Sequence, residues 1–257
     1  MDKNDAGALV TLHDVKAAFG LLTRLPLNVD ADRATARGAG AAWAYPLVGL
    51  GVAMIACLVA SVVLSLGLPA SIAAALALAA MIIVTGAMHE DGLADSADGL
   101  WGGWDRVRRL AIMKDSHIGA YGVIALILSL LIHWTGLSAL MDRGYVWAPI
   151  MVMAALSRAN MVLVMHAMPN ARDTGLAHAV GRPARNTTFI AIGLAAAISF
   201  AWIGVSGFVA LVVSLCAAGV CALIAHRKVG GQTGDILGAT QQVSQMALVV
   251  TLVALAP

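Results

Sequence analysis

The sequence predicts an all-α, polytopic membrane bundle of about seven transmembrane helices, preceded by an N-terminal interfacial helix. Three observations predict it. Of the 257 residues, 60% are apolar and only 12% charged, against roughly 45–50% and about 25% in soluble domains. Mean hydropathy is +0.87, and the apolar residues gather into stretches of the roughly 17–25 residues that cross a ~30 Å hydrocarbon core. The basic residues fall almost entirely between alternate stretches. Composition also excludes a disulfide scaffold, because Cys57, Cys216 and Cys221 all lie inside apolar runs. A net charge of +2 is too small to suggest a nucleic-acid partner.

The elements follow in order. Residues 8–23 put Leu12, Val15, Phe19 and Leu22 at helical spacing, with His13, Asp14 and Lys16 elsewhere on the wheel, and Pro26 ends the pattern. This predicts a helix that lies on the bilayer surface or caps the bundle. Spans are expected at 44–66, 70–88, 119–140, 146–168, 188–204, 207–226 and 236–256. The connection 66–70 and the Ser206–Gly207 break are short, so their flanking helices should form antiparallel hairpins. No internal repeat or linker interrupts the chain. One membrane domain is expected over 1–257, with 1–40 as a cytoplasmic or interfacial segment and 41–257 as the bundle.

Orientation follows from the Lys and Arg count by loop. The N-terminal segment holds Lys3, Lys16, Arg24, Arg33 and Arg37; the 89–118 loop holds Arg106, Arg108, Arg109 and Lys114. Arg172, Arg182 and Arg185 follow in 169–187, then Arg227 and Lys228. These are 14 of the 16 basic residues, all on one side of a seven-span topology; the other side has only Arg143, and Arg158 sits within a span. The basic side is therefore expected in the cytoplasm, and a bacterial inner membrane is the expected location.

Chemistry concentrates in the 89–118 loop. Five of the 14 acidic residues fall within Glu90–Asp105. On a helix, Asp91, Asp95 and Asp98 point within about 60° of one another, and Glu90 about 100° away from them. Carboxylates stacked on one face repel, the more so near a membrane boundary, and a cation removes the penalty. Oxygen-only ligands suit a hard ion such as Mg²⁺. Asp115 is expected to complete the metal set from the start of the next span, with Gly119 and Gly122 on its own face. Arg106, Arg109 and Lys114 are candidates to offset phosphate charge. Arg158, a charge at membrane depth, should face the interior and meet an anion, either an Asp or a substrate phosphate. Asp235 and Gln242 are seven residues apart on the last span, form a polar stripe toward the interior, and are candidate substrate-binding residues.

The runs Thr85–Gly99 and Ile112–Gly122 closely resemble the cobalamin synthase family, the adenosylcobinamide-GDP ribazoletransferases. Leu22-Thr23-Arg24-Leu25-Pro26, Tyr45-Pro46-Leu47-Val48-Gly49 and Gly230–Ala239 are similar to the same family, in the same order. The resemblance implies a membrane transferase of cobalamin biosynthesis. In it, a ribose hydroxyl of α-ribazole or its 5′-phosphate attacks the β-phosphoryl of adenosylcobinamide-GDP, GMP leaves and Mg²⁺ is required. The catalytic residues it implies are Asp91, Asp95 and Asp98. The partners are the two substrates and the bilayer, with room for homo-oligomers and for association with other corrinoid-biosynthesis enzymes. The aspartate logic is also similar to CDP-alcohol phosphotransferases. However, three residues separate Asp91 from Asp95 and no Ala-Arg follows Asp98-Gly99. A transporter with a polar path through Asp91, Asp235 and Arg158 is the third reading; carboxylates clustered at one face and the absence of an inverted repeat weigh against it.

Overall fold

The computed structural model describes residues 9–256; Lys3, and Ala8 at the head of the 8–23 stretch, lie outside them. The helices are α1 (Leu12–Leu22), α2 (Ala31–Arg37), a 3₁₀ segment (Gly38–Ala44), α3 (Tyr45–Ser65), α4 (Ala70–Thr85), α5 (Met88–Gly102) and α6 (Arg106–Ile112). They continue as α7 (Ala120–Asp142), α8 (Trp147–Ala167), α9 (Leu176–Val180), α10 (Arg185–Ile203), α11 (Ser206–Val229) and α12 (Gly234–Leu255). Six of these segments are long and apolar enough to cross a bilayer, and the bent pair α4–α5 brings the number to seven. The expected spans thus fall on α3, α4, α7, α8, α10, α11 and α12.

Burial ranks the helices. The apolar window of α8 is 89% buried and that of α12 is 67% buried, against 22% for α7 and α11. The bundle is therefore built around α8 and α12, and the outer helices turn residues such as Val62, Ile83, Ile127 and Phe208 outward. In a hydrocarbon solvent that outward apolar face is the stable one. Small residues bring the axes close: a side chain at Gly49 of α3 would run into the Ala154 carbonyl of α8. Cys57 is enclosed, but Cys216 lies on the outward face of α11.

The N-terminal helix packs on the bundle. Ala18 and Leu22 are buried, Phe19 lies against Gly51 of α3, and Leu12 stays exposed. Asp14 is not on a wet face of the wheel. It is fully buried, where Arg37 Nε reaches its Oδ1 at 2.7 Å, Arg37 also bonds its Oδ2 at 2.7 Å, and Trp43 Nε1 donates to Oδ2 at 2.8 Å. The partner that makes this possible is 23 residues away, beyond the reach of helical periodicity.

The largest departure from expectation is at the end of the second span. The chain does not continue straight into the carboxylates: α5 turns away from α4 by 87°. Two successive left-handed residues make the turn, Gly86 at φ +65° and Ala87 at φ +56°. Glycine tolerates this and alanine does so at a cost. Arg24 packs against Gly86 and its N–H donates to the Val84 carbonyl at 2.7 Å, so the Leu22–Pro26 stretch braces the bend. From there α5 packs against α7 and α12.

Candidate active site

Two attachments place α5. At its middle, Gly92 crosses Gly238 of α12, and a Cβ at Gly92 would sit 2.9 Å from the Asp235 carbonyl. This glycine crossing brings the Asp91 and Asp95 face to the first turn of α12. At its far end, Asp98 accepts from the Gly119 N–H at 2.7 Å and the Gly122 N–H at 2.9 Å. Helix α7 begins at Gly119, which has no side chain with which to cap it. Asp98 therefore supplies the cap from a neighbouring helix, and its negative charge lies at the positive end of the α7 dipole.

The other carboxylates of the site are Asp91, Asp95 and Asp235. Thr233 caps α12, its Oγ1 accepting from the Ile236 N–H at 3.2 Å. Asp235 receives the Thr233 hydroxyl at 3.2 Å and pairs with Arg172 at 3.2 Å. Burial, together with the charges of Asp91, Asp235 and Asp98, raises the Asp95 carboxyl to about 7. A carboxylate pushed up by burial and by three neighbouring carboxylates marks a place where negative charge has gathered. Among the described residues, the side chains of Asp91 and Asp95 make no hydrogen bond.

Beside this face lies a cavity of about 200 Å³, lined by Asp91, Asn170, Arg172, His178, Thr233 and Asp235 among others. The segment after α8 reaches it through an isolated bridge between Asn170 and Gln232: the Ala171 N–H donates to the Gln232 carbonyl and the Gln232 N–H to the Pro169 carbonyl, both at 2.8 Å. The Gln232 and Asn170 side chains bond across the same bridge. Arg172 donates from Nη2 to the Leu110 carbonyl at 2.9 Å, while its Nε is buried without a partner. A fixed guanidinium among the residues lining the cavity is a natural grip for an oxyanion. Sequence reasoning counted Arg172 only as a topology charge. The polar, glycine-containing run Asn170–Gly175 at a span end was the signal available.

The other expected site residues are dispersed. Asp115 does not share a face with Gly119 and Gly122, because residues 115–119 are not helical. It is exposed and bonds His117 at 2.7 Å. That contact holds the Asp115 carboxyl below its usual range and the His117 ring above its own. Arg106 donates to the Val229 and Ala171 carbonyls at 2.9 and 2.7 Å, and Arg109 to those of Gly103 and Lys228 at 2.9 and 3.1 Å. Both fasten α6 to its neighbours, with their donors already engaged. Lys114 is exposed. Arg158 is 1% exposed, in the centre of the bundle, and the charge it faces is Glu90 rather than Asp115 or Asp235. Gln242 is also interior, and its Nε2 donates to Glu90 Oε1 at 2.8 Å.

The donors fit a hard divalent cation in kind: oxygen atoms only, at a concentration of uncompensated negative charge beside an open cavity. As the side chains stand, no three Asp, Glu, His or Cys groups among the described residues are close enough to hold an ion.

A family profile described as cobalamin-5-phosphate synthase matches residues 14–253. The chain is 44% identical over 247 residues to an adenosylcobinamide-GDP ribazoletransferase of Mesorhizobium japonicum, covering 95% of this chain and 94% of that one. It is 40% identical over 244 residues to the protein of the same name from Bradyrhizobium diazoefficiens (95% and 93% covered), and 38% over 254 residues to that of Allorhizobium ampelinum (93% and 95%). No solved structure gives a significant match. With near-complete coverage on both sides and the aspartate helix inside the matched region, the chain belongs to the cobalamin-5-phosphate synthase family.

Proposed function

We propose that this chain is an adenosylcobinamide-GDP ribazoletransferase of cobalamin biosynthesis. A ribose hydroxyl of α-ribazole or its 5′-phosphate attacks the β-phosphorus of adenosylcobinamide-GDP. One P–O bond forms, the P–O bond to the GMP phosphate breaks, and GMP and a proton are released. The observation that carries the reading is the Asp91–Asp95–Asp235 face beside the cavity, on a chain that matches the family over residues 14–253. Asp91, Asp95 and Asp235 would hold Mg²⁺, which supplies charge neutralisation of the diphosphate. Arg172, which lines the cavity, would meet an oxyanion of the substrate. Asp98 keeps α5 docked on α7, so that the face stays aimed at the cavity. Nucleotide preference tests the reading. Membranes containing the chain should consume a guanosine diphosphate ester of the corrinoid; turnover of a CDP-alcohol with a lipid acceptor would instead favour the phospholipid-synthase alternative.

The raised Asp95 carboxyl sets a pH dependence. Below about 7 a proton occupies Asp95 and competes with the cation. The apparent Mg²⁺ affinity should therefore weaken as pH falls, by up to roughly tenfold per unit per competing proton. Titrating Mg²⁺ at several pH values checks this; a pH-independent midpoint between 5.5 and 7 would contradict it.

The site is proposed to face the cytoplasm across the inner membrane, on the strength of the basic asymmetry. At the opposite end, Arg143 donates to the Val253 and Ala256 carbonyls, both at 3.1 Å. In a variant lacking the native cysteines, Lys114→Cys should resist an impermeant thiol reagent in intact cells, and Asp142→Cys should react. The reverse pattern would invert the topology.

A further inference from the structure

Glu90 follows the bend at Gly86–Ala87 and precedes the carboxylate face, but its side chain enters the bundle. Gln242 of α12 donates to its Oε1 at 2.8 Å, and Ser129 of α7 donates to Gln242 Oε1 at 3.1 Å. Arg158 of α8 faces the same group and is held by its own helix, Nη1 donating to the Ala154 carbonyl at 3.2 Å. Glu90 thus bonds α12 directly, reaches α7 through Gln242, and interacts with Arg158 of α8 through space, with no ion pair between them. Polar atoms remain to spare: Glu90 Oε2, Arg158 Nε and His89 Nε2 are buried without a partner. Such a group in a bundle surrounded by hydrocarbon is expensive, and apolar side chains would pack there more cheaply. The cavity beside the aspartate face is lined by other residues.

Their position accounts for them. The Gly92–Gly238 crossing fixes where α5 sits, and Asp98 fixes its far end. The first turn, immediately after a bend made by two left-handed residues, carries Glu90, whose bond to Gln242 adds a third hold on the rotation of the helix. Glu90 and Asp91 are adjacent, so a rotation that withdraws Glu90 from Gln242 and Arg158 swings Asp91 off Asp235 by the same angle. We infer that Glu90, Arg158 and Gln242 are positioning residues that lock the rotation of α5 and so aim Asp91 and Asp95 at Asp235. The inference rests on the reading of those aspartates as the cation-holding face.

The test measures membrane abundance, kcat, KM for the corrinoid nucleotide and the Mg²⁺ midpoint in the full-length protein. Glu90→Gln keeps the shape and the bond to Gln242 while removing the charge that faces Arg158. Gln242→Leu removes that bond and leaves both charges. Each should raise the Mg²⁺ midpoint and lower kcat by about tenfold, with KM near the wild-type value. Glu90→Gln combined with Arg158→Gln should be no worse than the more affected single variant, because both remove the same electrostatic pairing. Glu90→Asp should recover part of the loss. Three results overturn the inference: specific activity and Mg²⁺ midpoint unchanged, with only abundance reduced; Arg158→Gln raising KM with the Mg²⁺ midpoint unchanged; or full additivity in the double variant. If Arg158→Gln fails to accumulate, Gln242→Leu and Glu90→Gln still decide. Failure of the underlying reading looks different: Asp91→Asn and Asp95→Asn would then leave the Mg²⁺ midpoint at its wild-type value.

Discussion

Asp95→Asn should lower turnover by two or more decades while the protein still accumulates in the membrane. The substitution keeps the volume and removes the charge. Because burial, and then the charges of Asp91, Asp235 and Asp98, raise the Asp95 carboxyl to about 7, its loss relieves both a buried charge and repulsion. Folding should therefore hold or improve. What disappears is one anionic oxygen ligand at the place where a diphosphate has to be neutralised. Removing such a group costs ~3 kcal/mol or more of transition-state stabilisation. Asp91→Asn should behave alike. The readouts are abundance by immunoblot and turnover at saturating Mg²⁺; near-normal turnover for Asp95→Asn would remove it from the site.

Asp98 should give the opposite pattern, although it lies on the same helix face. Asp98→Ala strips the acceptor from the Gly119 and Gly122 N–H groups, both at the start of α7. An amide left buried without an acceptor costs about 1–3 kcal/mol, and the charge at the helix N-terminus is lost as well. The expected result is a large drop in folded protein, with thermal stability in detergent falling alongside activity. Asp98→Asn should be intermediate, since one oxygen can still accept while its NH₂ opposes the second amide. Full abundance of Asp98→Ala with lost turnover would show that Asp98 acts on substrate or metal rather than as a cap.

The contrast between these two aspartates shows what the sequence could and could not convey. Spans were legible because a bilayer leaves the backbone few options, and a stretch such as 44–66 or 146–168 has to become a helix close to α3 or α8. The clustering of Asp91 and Asp95 was legible because helical periodicity fixes it locally. Roles set by distant partners were not. Nothing near Asp98 announces Gly119, nothing near Asp14 announces Arg37, and the donors of Arg106 reach carbonyls 65 and 123 residues away. The 87° bend was hidden for another reason: a Gly-Ala pair in an apolar run is ordinary, and only brace contacts such as Arg24 against Gly86 hold it left-handed. Arg172 was hidden because a span-end arginine reads as a topology charge until Asp235 is folded next to it.

The central claim is that this chain transfers the corrinoid phosphoryl group to α-ribazole at the Asp91–Asp95–Asp235 face. The most direct measurement is product release from membranes carrying the wild-type chain or Asp95→Asn, incubated with adenosylcobinamide-GDP, α-ribazole 5′-phosphate and Mg²⁺. The account predicts GMP and the joined corrinoid product in equal amounts, only when both substrates and Mg²⁺ are present, and next to none from the Asp95→Asn membranes. GMP release that needs no ribazole substrate, or equal yields from wild-type and Asp95→Asn membranes, would contradict it.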